Sequence, residues 1–135
     1  MFQGLKTKTI TLSGNVITVS EASNSMAEDR GDIVAELMLY NDSLKGKAPK
    51  KGQPKRRSNL LINVYSALKA CSTGDLPTTP EEFNEQMKDE DIQTWLDLAH
   101  EMNPHWFKWM DDAEKILTEA EQKTEKKKKG STTQK

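Results

Sequence analysis

The segment Lys8-Thr-Ile-Thr-Leu-Ser-Gly-Asn-Val-Ile-Thr-Val19 decides the fold class, because it carries the clearest strand pattern in the chain. Side chains of a strand point alternately to its two faces, so Ile10 and Leu12 share one side, as do Ile17 and Val19. Ser13-Gly14-Asn15 separates the two runs and predicts a β-hairpin over 8–19. With Gly14-Asn15 as a two-residue turn, Leu12 is expected opposite Ile17, Ile10 opposite Val19 and Thr11 opposite Thr18. A one-residue slip would divide the four apolar side chains between the faces, and this is what specifies the pairing. A lone hairpin is marginal in water. Its apolar face must therefore lie on helices or on the strands of a neighbouring chain.

Outward from the hairpin the apolar period lengthens to three and four residues, the spacing of one helix face. Ile33, Val34, Leu37 and Met38 predict a helix over 29–43, with Glu28, Asp29 and Asp32 suited to its positive end. Gly31 costs about 1 kcal/mol relative to alanine and leaves one helix or two open. Ser58 caps a helix over 58–72 whose stripe is Leu60, Leu61, Val64, Tyr65, Leu68 and Cys71, with Gly74 as its stop. Thr79, Pro80 and Glu82 read as a capping box opening a short helix over 80–88. Asp89 caps the next, 90–102, with Ile92, Trp95, Leu96, Ala99 and Met102 on its apolar side. Asn103-Pro104 then opens a helix over 104–122, striped by Trp106, Trp109, Met110, Ala113, Ile116, Leu117 and Ala120. The expected architecture is α+β, an N-terminal β-hairpin followed by a mainly helical body of four to five helices in a single domain, residues 1–122. Leu60 to Cys71 and Ile92 to Met102 are expected to cover the tryptophans of the last helix.

Only 34% of the residues are hydrophobic and 30% are charged, so part of the chain is expected to stay outside the core. Two segments qualify as disordered: a basic loop, 45–57, and a lysine-rich tail, 123–135. Lys45 to Arg57 holds seven basic residues and no acidic one, whereas Asp75 to Glu125 holds fifteen acidic residues and four basic. The net charge of −1 therefore conceals opposite blocks that can steer a partner or associate between copies. The single cysteine, Cys71, precludes an intramolecular disulfide and a multi-cysteine metal site, and fits a packing role. No apolar run reaches the ~18 residues of a membrane helix, and Met1 to Lys8 lacks the apolar core of a secretory signal. The expectation is a soluble, cytoplasmic protein.

Catalytic, cofactor-binding and metal-binding residues are all expected to be absent. His100 and His105 are five positions apart across a helix break, which is not the i, i+4 spacing that lets two imidazoles share zinc. The pairs Glu81/Glu82, Asp89/Asp91 and Asp111/Asp112 fall on helix first turns or exposed faces, and no glycine-rich phosphate cradle follows a strand. What remains is recognition. Trp95, Trp106, Trp109 and Met110 are candidates for an apolar partner surface, and Lys50, Lys51, Arg56 and Arg57 for an electrostatic one. The basic loop fits an acidic protein surface, a solvated connection, or nucleic-acid phosphates. The last is the weakest of the three, because no aromatics are interleaved for base stacking.

With its hairpin at Thr9 to Val19, helical body, basic insertion and lysine-rich end, the chain resembles the tail assembly chaperones of long-tailed bacteriophages. The resemblance spans about residues 6–130, is one of layout, and assigns no role to an individual residue. It implies a small non-enzymatic protein of the host cytoplasm that binds the tape-measure protein, keeps it soluble and helps recruit the tail-tube protein, leaving the finished tail without it. Such chaperones are often also made as a longer, frameshifted product, and Lys126 to Lys129 must be encoded by an A-rich run of the kind that slips. Two other readings compete: a nucleic-acid-associated adaptor using the basic loop, and a structural head or tail component of a virion. Homo-oligomerisation is compatible with each.

Overall fold

A computed structural model describes residues 2–112 together with 116 and 120, and the chain divides after Asn103 into two units. The first unit runs β1 (Thr7–Leu12), β2 (Asn15–Ser20), α1 (Asn24–Ser43), α2 (Asn59–Cys71), β3 (Ser72–Gly74), α3 (Pro80–Gln86) and α4 (Asp89–Met102). The second begins with a single 3-10 turn, Pro104–Trp106, followed by helix at 108–112. The fold is α+β, as the hairpin and the helical periodicities imply.

The hairpin forms with a different turn. Ser13 and Gly14, at φ +50° and +83°, occupy the two central positions, and Leu12 pairs with Asn15, Ile10 with Ile17 and Lys8 with Val19. Positive φ at both central residues is the type I′ geometry, whose twist matches that of the strands, and Gly14 takes the second position without steric cost. The pairing is displaced by two residues from the expected one. A shift of two preserves every side chain's face, so the apolar sorting of Leu12, Ile17 and Val19 into the core is unchanged and does not discriminate between the registers. Thr18 meets Thr9 rather than Thr11, with the two hydroxyls 2.8 Å apart.

A third strand completes the sheet. Ser72–Gly74, read in the sequence as a helix stop, pairs antiparallel with β2 through Val19 and Ser72, Thr18 and Thr73, and Ile17 and Gly74. Gly74 sits at φ +107°, and a Cβ there would meet the Val16 carbonyl oxygen at 2.3 Å. Only glycine fits so close an approach.

Helix α2 is the centre of the core. Leu61, Ile62, Val64, Tyr65, Ser66, Ala67, Leu68 and Cys71 are all buried, while Leu60, expected on its apolar stripe, is 52% exposed. It packs along α1 on one side and meets α3 and β3 on others. Ser58 accepts from Leu61 N to cap α2, and Thr79 accepts from Glu82 N to cap α3. The reciprocal arm of the α3 box differs from expectation: Glu82 accepts from the backbone and hydroxyl of Thr78, not from Thr79. Those hydrogen bonds hold the Glu82 carboxyl below its usual range. Helix α4 begins at Asp89 itself, with Lys88 before it offering no side-chain cap.

Asn103 works backwards rather than forwards. Expected to cap the following helix, it is 1% exposed and instead closes the first unit, its Oδ1 accepting from Ala22 N and its Nδ2 donating to Ser20 O. In the second unit the expected continuous helix over 104–122 is replaced at its start by the 3-10 turn, and Trp106 and Phe107 are buried. Ala113 and Leu117 of the stripe, and the tail 123–135 with Lys126 to Lys129, lie outside the described residues.

Candidate partner-binding surface

Helix α1 is twenty residues long and buries only one of them, Leu37. Its start lies at Asn24 rather than near 29, because Ser23 accepts from Met26 N as the N-cap, so Glu28, Asp29 and Asp32 fall beyond the first turn. Arg30, Ile33, Val34, Tyr40 and Asn41 are half-buried, which sets the inward face. On the far side Ala27, Gly31, Ala35 and Leu39 recur every four residues with Met38 beside Leu39, and all five are exposed. Four-residue spacing keeps them on one face. Leu39 is 67% and Met38 52% exposed, at the end of a stripe otherwise made of small residues.

The cationic loop is more ordered than its composition implies. Lys47 N bonds to Leu44 O and Gln53 N to Lys50 O, and its end is clamped to α1: Arg57 N donates to Asn41 Oδ1 and Asn41 Nδ2 to Arg57 O. Tyr40 donates its hydroxyl to Pro54 O, and the Arg57 guanidinium lies 4.8 Å from the Tyr40 ring centre. Arg57 also forms an ion pair with Glu81 at the start of α3. Burial pushes the Glu81 carboxyl up, but the hydrogen bond and charge of Arg57 outweigh it and hold the carboxyl below its usual value. The loop is therefore not structureless: five residues of two helices and one loop fix its path.

The residues singled out in the sequence separate accordingly. Trp95 and Trp106 are buried, so neither offers a surface; Trp95 donates its indole N–H to Ser72 Oγ. Trp109 is at the margin of exposure and Met110 half-buried. Lys50, Lys51 and Arg56 are exposed on the loop, whereas Arg57 is withdrawn into its contacts with Asn41, Tyr40 and Glu81. Leu39 escapes a reading based on the core stripe because it lies on the opposite face. The signal that finds it is the spacing Ala27, Gly31, Ala35, Leu39.

Elsewhere, a cleft of about 420 Å³ opens between the hairpin tip and the α3–α4 turn. Its acidic groups hold the scaffold: Asp75 accepts from Val16 N and Asp91 from the Ser13 hydroxyl. Cys71 is buried on α2, and burial pushes its thiol up to about 11, far from the thiolate a nucleophile needs. His100 lies in the last turn of α4. No helix among the described residues is long and apolar enough to cross a membrane. No protein-family model, curated protein or solved structure matches the chain.

Proposed function

We propose that this chain is a tail assembly chaperone that binds apolar helical surface on the tape-measure protein, and that the outward face of α1 is where it does so. The observation that carries the reading is a twenty-residue helix with one buried residue and an exposed stripe ending in Met38 and Leu39. Small residues at Ala27, Gly31 and Ala35 let a second helix approach closely, and the two large side chains supply apolar anchor area, as in helix-in-groove recognition. Glu28, Asp32 and Asp42 are exposed on the same helix and suit a partner with basic flanks. A host-cytoplasmic site of action and recruitment of the tail-tube protein belong to the same reading.

Co-expression with the tape-measure protein tests it. The native chain should raise that protein's soluble yield and co-purify with it, and Met38→Asp with Leu39→Asp should abolish both while leaving the melting temperature unchanged. No capture by the native chain would overturn the proposal. A nucleic-acid adaptor is favoured only by the exposed Lys50, Lys51 and Arg56. It requires binding that falls steeply with salt and disappears when those three become alanine. A virion component would remain in purified particles.

A further inference from the structure

We propose that β1 pairs through its open edge with β1 of a second copy, antiparallel and centred on Thr9. The sheet order is β1-β2-β3, so among the described residues one side of β1 has no neighbouring strand. Glu21 N donates to Lys6 O, which fixes the alternation of the antiparallel ladder: Lys6, Lys8, Ile10 and Leu12 turn their amides toward β2, and Thr7, Thr9 and Thr11 turn theirs outward. All three threonines are exposed, and their backbone groups make no hydrogen bond to another described residue. Natural edges are blunted by lysine and other charged side chains, by proline, by bulges or by very short strands; the one charge within β1, Lys8, is drawn to Glu101 of α4. β1 has six consecutive pairs with no bulge and no proline, whereas the opposite edge, β3, is three residues long.

The side chains select the partner and the register. With Thr9 opposite Thr9 of the second copy, Thr7 falls opposite Thr11, and every outward amide of both strands is paired. Lys8 then faces Ile10 of the other copy, where its aliphatic stem covers a half-buried side chain while its ammonium stays beside Glu101, 3.7 Å away. Centring on Lys8 instead would set two ammonium groups face to face. Centring on Ile10 would leave Thr7 against Ser13 in the turn. The Thr9 register alone uses all three outward amides without opposing like charges, and it extends a three-stranded sheet to six strands across a two-fold axis. This contact is separate from α1 and does not depend on the reading of that helix.

Light scattering on the full chain after size exclusion tests it, using charges placed at the solvent-facing threonines. The native protein should have twice the 15.3 kDa mass of one chain. Thr7→Lys with Thr11→Lys opposes like charges across the axis and should return the mass to that of one chain. Thr7→Glu with Thr11→Lys opposes unlike charges and should restore the dimer; circular dichroism should be the same for all three. Leu39→Glu should leave the dimer intact. A monomeric native chain, equal association of the two double variants, or loss of the dimer in Leu39→Glu would overturn the proposal.

Discussion

The indole N–H of Trp95 donates to Ser72 Oγ over 2.9 Å, joining the middle of α4 to the first residue of β3 where both side chains are buried. This bond does what neither element does alone. β3 is too short to persist by its own pairing with β2, and α4 meets the sheet mainly at β2.

Ser72→Ala deprives a buried indole N–H of that acceptor and should lower stability by about 1–3 kcal/mol. Trp95→Ala adds the loss of a fully buried ring and should cost about 3–5 kcal/mol. Urea unfolding measures both. Because Trp95 is 0% exposed, its substitution should act through folding; weakened partner binding with unchanged unfolding would contradict the placement.

Ser72 also marks where sequence reasoning stops. The hairpin face, the caps at Ser58 and Thr79 and the apolar sides of α2 and α4 were legible because each is a local pattern of period two or of three to four. The hairpin register was not, since a two-residue shift leaves every side chain on the same face. β3 was hidden for a different reason. Its three residues carry no alternation, and only a distant strand, β2, makes them a strand. Trp106 and Trp109 looked equivalent one turn apart, but a 3-10 turn rather than an α-helix begins the segment, and one is buried while the other is at the margin of exposure. The α1 surface was obscured because apolar residues on both sides of a helix read as one broad stripe.

Asn103→Ala should be among the most damaging single changes at a polar residue. Its amide pairs Ala22 N at 2.8 Å and Ser20 O at 3.0 Å, both at the exit of β2, from a side chain that is 1% exposed. Losing both partners should cost about 2–6 kcal/mol, with each abandoned backbone group contributing about 1–3 kcal/mol. Amide exchange gives a local check: the Ala22 N–H should lose protection well before the centre of α2 does. Unchanged protection at Ala22 would refute the assignment.

Gly74→Ala should destabilise through backbone, not packing. The position combines φ +107° with a Cβ path that ends 2.3 Å from the Val16 carbonyl, so relief requires β3 to move off β2. Strain of this kind costs on the order of 1–3 kcal/mol. In chemical-shift measurements the disturbance should centre on Val16, Ile17 and Thr73, while the Ser13-Gly14 turn stays intact. A neutral effect on the urea midpoint would show that the sheet edge yields freely.

The Arg57–Glu81 pair should make part of the stability acid-sensitive. Burial alone would raise the Glu81 carboxyl, yet Arg57 holds it below its ordinary value of 4.5. The folded protein therefore binds this proton less tightly than the unfolded chain does. The pair's contribution is complete above the unfolded value and disappears as pH falls through the lowered folded value. The Glu81 side chain is 44% exposed, so screening limits the effect to about 1 kcal/mol or less. Urea midpoints of the native chain and Glu81→Gln should differ at neutral pH and converge in acid; an equal gap at both would exclude this linkage. Arg57→Ala should do more than remove the charge, because the same side chain lies over Tyr40 and ends the basic loop. Trypsin should then cut faster at Lys55 and Arg56 in Arg57→Ala than in the native protein. Cutting at the native rate would mean that the Asn41 clamp on the Arg57 backbone holds the loop by itself.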